Sequence, residues 1–126
     1  MSINDPPATT VIPIQGTFDI AQGRNTIRTR IASQHWPMSF NARAATAMTI
    51  LGELILLCND SKAVPVRISL LNDQKLHGIE LSCTLTKPTD DPARWKSKAD
   101  NLTRVADSLD MQEHGNQIEI RACICL

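Results

Sequence analysis

Four cysteines, three histidines and a few neighbouring carboxylates are the residues through which this chain could do metal, redox or acid–base chemistry. Two thiolates that grip zinc from one turn need Cys-x-x-Cys spacing, and Cys58, Cys83, Cys123 and Cys125 offer none. Cys123 and Cys125 are alternate residues, so a strand would place both on one face, where packing suits them as well as ligation. His35, His77 and His114 fall in expected turns or loop ends, without a His-Glu-x-x-His pattern or a Gly-x-Ser-x-Gly elbow. Asp90-Asp91 reads as a helix cap, and Asp107 with Asp110 as charges at a strand entry rather than an acid–base dyad. Without an intact catalytic, metal-binding or nucleotide-binding motif, the residues favour binding or regulation over chemistry.

Composition narrows the partners. Thirteen basic and thirteen acidic residues give a net charge of zero, so no long-range field holds a nucleic acid or an anionic membrane. Trp36, Trp95, Phe18 and Phe40 are the only aromatics, too few to build stacking platforms for single strands. The 126 residues suit a single domain with its own apolar core. Met1 to Thr10 is polar and proline-bearing and reads as a flexible segment with no secretory pattern, which points to the cytoplasm; residues 11–126 form the domain. The apolar run Ala47 to Cys58 is broken by Glu53 and reads as a buried helix, too short for a bilayer.

Periodicity assigns the elements. Val11, Ile12 and Ile14 form a first or edge strand broken by Pro13. Ile20, Ile27 and Ile31 recur at helical spacing from Asp19, a plausible cap, to about Ser33, with Arg24, Arg28 and Arg30 at other positions. A second helix, capped by Ser39 and running to about Asn59, is apolar around most of its circumference and must be central. Val64 to Leu70 and Ile79 to Leu85 alternate as antiparallel strands. Asp91-Pro92 starts a third helix facing inward with Trp95, Ala99, Leu102, Val105 and Ala106. Leu109 and Met111 begin a strand that turns at Gly115-Asn116 into a last strand carrying Ile118, Ile120, Ala122, Ile124 and Leu126 on one face. The expected fold is a two-layer α/β sandwich, a mostly antiparallel sheet covered on one face by about three helices.

This order, with the strings Asp19 to Arg28, Thr49-Ile50-Leu51-Gly52-Glu53-Leu54 and Arg104 to Met111, resembles the histidine-kinase-like ATPase superfamily, in its anti-sigma-factor and switch-serine-kinase branch. The resemblance spans about Val11 to Cys125. It implies a Glu at Glu53 that orients a metal-bound water or acts as a base, and an Asn four residues on as a Mg²⁺ ligand. That position is Leu57, which has no oxygen. Asn59 sits roughly 200° further round the helix. The family's Asp-x-Gly-x-Gly is replaced by Ser82 to Pro88, without carboxylate or glycine, and no glycine lies between Thr89 and Asn101 to form a phosphate lid. Glu53, beside Thr46 and Thr49, is then either a remnant of that site or a solvated charge on the helix's narrow polar side.

What the resemblance implies is a degenerate pseudo-ATPase that needs no cofactor and binds a protein, such as a sigma factor or an anti-anti-sigma-type domain. Candidate contacts are Arg24, Arg28 and Arg30 on the first helix, and Trp95 in the Lys87 to Lys98 stretch. A solvated helix face and a core tryptophan are the alternatives. A homodimer is compatible with this reading. The competing function is a divergent ATP-dependent serine/threonine kinase that holds Mg²⁺ and ATP through Glu53 and Asn59.

Overall fold

Strands with strict alternation, laid against a helix that is apolar nearly all round, have to bury one sheet face and leave the other in water. The computed structural model has that arrangement and describes residues 9–58, 62–72, 76–87 and 91–126. Its elements run β1 (Thr9–Ile14), α1 (Thr17–Ala32), α2 (Met38–Cys58), β2 (Val64–Asn72), β3 (His77–Thr86), α3 (Pro92–Val105), β4 (Ser108–His114) and β5 (Gln117–Cys125). The five strands are antiparallel throughout in the order β1-β2-β3-β5-β4. Together with the three helices they form the two-layer α/β sandwich expected from the sequence.

Three local expectations change. β1 starts at Thr9, because Thr9 and Thr10 pair with Ser69 and Ile68. Asp19 is not the residue that begins α1. The chain enters the helix at Gly16, and Asp19 reaches back from the first turn to accept from the Gln15 and Gly16 backbone N–H groups at 2.8 and 3.1 Å. Ser39 lies inside the first turn of α2, whose opening acceptor is the Pro37 carbonyl, 3.0 Å from Phe40 N. Asp91, by contrast, caps α3 as its sequence promised. Its carboxylate accepts from Arg94 N at 3.1 Å, with Pro92 at the start of the helix.

The core lies between the sheet and α2. Ile12 and Ile14, Val64, Val66 and Ile68, Ile79, Leu81 and Leu85, and Ile118, Ile120 and Ile124 point toward the helices. Met48, Leu51 and Leu54 of α2 meet them with no exposed surface at all, and each such side chain contributes roughly 1.5–3 kcal/mol. At 21 residues α2 is long and apolar enough to cross a membrane by length and composition, a length the Ala47 to Cys58 run alone did not suggest. Here it is packed between α1, α3 and the sheet as the core helix. α1 approaches it at Gly52, where a Cβ would stand 2.5 Å from Ile20 Cγ1. The β4–β5 turn needs Gly115, whose φ of 63° lies in the left-handed region.

Candidate functional site

Two regions gather polar side chains, the seam between α2 and α3 and the face of the sheet turned away from the helices. In the seam, Lys98 of α3 places Nζ 3.0 Å from Glu53 Oε2. The pair is partly exposed, at 29% and 42% of the two side chains, and ties α3 to α2. Leu57, at the position where a metal-binding Asn would stand, packs against the core as a partly buried apolar residue. Asn59 lies outside the described residues.

The remaining candidates divide by what they touch. Arg24 donates to Thr49 Oγ1 at 3.2 Å and so joins α1 to α2. Arg30 donates through Nε to Thr10 Oγ1 at 3.0 Å and joins α1 to β1. Trp95 is buried, its indole N–H without an acceptor, and belongs to the core. Arg28 alone of the four is exposed and carries no ion pair or hydrogen bond among the described residues.

Sequence periodicity had not singled out the open sheet face. Register brings Val11, Arg67, Ser82, Arg121 and Asp110 into one row across all five strands. A shallow depression of about 290 Å³ lies on this row, lined by Arg67, Arg121, Ser82, Thr84, Glu119 and Pro65 among others. Arg67 and Arg121 stand two strand spacings apart, about 10 Å. Arg121 is flanked by Glu80 at 3.4 Å and Glu119 at 4.0 Å, whereas Arg67 has no carboxylate partner among the described residues. The alternation of both strands put each arginine on a polar face; only the pairing through Ser82 placed them on the same row.

None of the thiols with a displaced pKa is an activated nucleophile. Burial, reinforced by nearby Cys58, pushes the Cys83 thiol up to about 12. Burial also raises Cys123, whose Sγ lies 3.6 Å from Glu80 Oε2, and it raises Cys125 beside Asp107. These thiols are protonated at neutral pH and react poorly. Among the described residues no three His, Cys, Asp or Glu side chains converge as metal ligands. No family model matches the sequence, and no curated protein is significantly similar to it. The open sheet face carries charge and hydrogen-bonding groups but no cluster of metal ligands among the described residues.

A second polar cluster is a joint of the fold. Arg43 of α2 donates to Asp107 at 2.6 Å and to the Val105 carbonyl at 3.3 and 3.4 Å. The same Asp107 oxygen accepts from the Cys125 backbone N–H. That hydrogen bond is the main reason the carboxyl is held below its ordinary value; partial burial opposes it and Arg43 supports it. Asp107 was legible as a charge at a strand entry, but Arg43 had no sequence signal.

Proposed function

We propose that the chain is a non-catalytic regulatory protein of the pseudo-ATPase kind, acting in the cytoplasm by docking a protein such as a sigma factor or an anti-anti-sigma-type domain. The observation that carries this reading is the Lys98–Glu53 pair. Glu53, the carboxylate the resemblance places at the metal site, is paired with Lys98 of the neighbouring helix, and the adjoining metal position, Leu57, is apolar. Phosphoryl transfer depends on metal and amide charge stabilisation, and Leu57 has no side-chain oxygen with which to hold a metal. The element order and the strings around Glu53 and Asp107 support descent from the ATPase scaffold. Arg67, without a carboxylate partner among the described residues, and the polar sheet face around it supply a surface for a partner, and exposed Arg28 supplies a further charge.

Calorimetric titration with Mg·ATP and Mg·ADP tests the reading. No heat and no thermal shift up to millimolar nucleotide is the expected result, and saturable micromolar binding would overturn it in favour of the kinase. For the docking half, the expected outcome is a stoichiometric protein partner recovered by the wild type and lost with Arg67→Glu, which leaves the far-ultraviolet circular dichroism unchanged. A partner retained by that variant would remove the sheet face from the proposal.

A further inference from the structure

The two edges of the sheet are not equivalent. β1 carries Pro13, which has no N–H to offer an incoming strand. β4, at the other edge, spans Ser108–His114 and contains no Pro, Lys or Arg. Lysine, proline, bulges and inward-pointing charges are the usual means of blocking an edge; β4 has neither lysine nor proline, and its one helix-side charge, Glu113, is ion-paired with Lys87 at 3.1 Å. One side of its backbone pairs with β5 from Ser108 to His114, and the N–H and C=O groups of the other side meet no further strand among the described residues. Its side chains are uncovered as well: Met111 is 41% exposed and only Leu109 is half-buried.

We propose that β4 pairs antiparallel with β4 of a second copy of this chain, on a two-fold axis through Met111, giving a continuous ten-stranded sheet with both helix layers on the same side. The sequence of the strand selects this partner and register. Centring on Met111 pairs all seven residues: Met111 with Met111, Leu109 with Glu113, Asp110 with Gln112, and Ser108 with His114. No like charges stand directly opposite, a condition cross-strand pairs require. Centring one residue earlier sets Asp110 against Asp110. Centring one residue later leaves Ser108 and Leu109 outside the strand-to-strand pairing and puts Met111 against Glu113. An axis between residues would oppose side chains from different faces.

On the open face, each Asp110 already accepts from Gln112 of its own strand at 3.1 Å, and the partner's Gln112 would stand opposite it. Arg121 is Asp110's cross-strand neighbour on β5. On the helix side, the two Met111 side chains meet across the axis with Leu109 diagonal to them. Isologous pairing of one patch with itself is the commonest route to a soluble dimer. The proposal rests on β4 alone and stands or falls independently of the pseudo-ATPase reading.

Sedimentation equilibrium of the full chain, from low micromolar to hundreds of micromolar, is the first measurement, and twice the chain mass is expected. Met111→Lys should return the monomer mass with an unchanged circular dichroism spectrum, since Met111 is not part of the core. Val11→Lys, on the opposite edge, should leave the dimer intact. In Met111→Cys, a short thiol-to-thiol cross-linker should join the two copies at position 111, identified by peptide mass spectrometry, because directly opposed residues bring their Cβ atoms within about 5.5 Å. A wild type that stays monomeric overturns the proposal. So does a dimer indifferent to Met111→Lys or abolished by Val11→Lys, and so does failure of the 111–111 cross-link to form.

Discussion

Asp107 is the most exacting place to test the physical account, because a single carboxylate oxygen holds α2 and the end of β5 together. Replacing it with Ala removes a charge-assisted hydrogen bond to Cys125 N and the 2.6 Å contact with Arg43. Hydrogen bonds to charged groups contribute about 1.5–3 kcal/mol. The side chains of the pair are 41% and 43% exposed, so solvent screening leaves the ion pair itself about 0–1 kcal/mol. We therefore expect Asp107→Ala to cost about 2 kcal/mol, and Asp107→Asn, which keeps an acceptor for Cys125, about 1 kcal/mol. For a domain of this size each kcal/mol lowers Tm by roughly 4 °C.

The pH dependence has a defined sign. The folded carboxyl is held low, so its contribution is fully present above the unfolded value and is lost as pH falls through the folded one. The gap between wild type and Asp107→Asn should be full at neutral pH and close below about pH 4. Thermal melts followed by circular dichroism at a series of pH values give the result. An Ala variant melting within a degree or so of the wild type would refute the joint, and a gap that widens in acid would refute the assigned cause.

Two further experiments probe packing and thiol chemistry. A Cβ at Gly52 would meet Ile20 Cγ1 at 2.5 Å and Cδ1 at 2.7 Å, so Gly52→Ala should cost about 1–3 kcal/mol through overpacking. Combined with Ile20→Ala in urea denaturation, it should be less destabilising than the sum of the two single variants, and strict additivity would mean that the helices are not in contact there. Cys83, with its thiol near 12, should resist iodoacetamide in the folded chain at pH 8 and react on unfolding; native labelling as fast as at Cys125 would contradict its burial.

Strong periodicity made most of the fold legible. The β2, β3 and β5 alternations and the all-round apolarity of α2 each name a buried face, and the burial of Val66, Leu81, Leu51 and Ile120 follows. Helix starts were less legible. Asp19 and Ser39 are both good capping types, yet the backbone began each helix earlier, with Asp19 capping from the first turn and Pro37 opening α2. The polar contacts were hardest to read. Arg24, Arg30 and Arg43 look alike in sequence, and their different partners depend on which elements pack together. The Lys98–Glu53 pair joins residues far apart in the chain, and Arg67 and Arg121 share a row only because β3 lies between their strands. Such placements come from register and helix packing, which no local pattern encodes.

The strand order also bears on how fast the chain reaches this structure. β2–β3 and β4–β5 are hairpins between neighbouring segments, whereas β1 meets β2 only across both α1 and α2, and β3 meets β5 only across α3 and β4. Loop-closure entropy grows with the length of chain enclosed, and non-local pairing slows folding. The two hairpins can therefore form early, while the β3–β5 ladder, through Leu81 opposite Ala122 and Cys83 opposite Ile120, must join them before a single sheet exists. The longest closure of all is β1–β2, with Val11 opposite Arg67, so by the same argument this edge strand is expected to join last, even though most of the apolar burial belongs to α2.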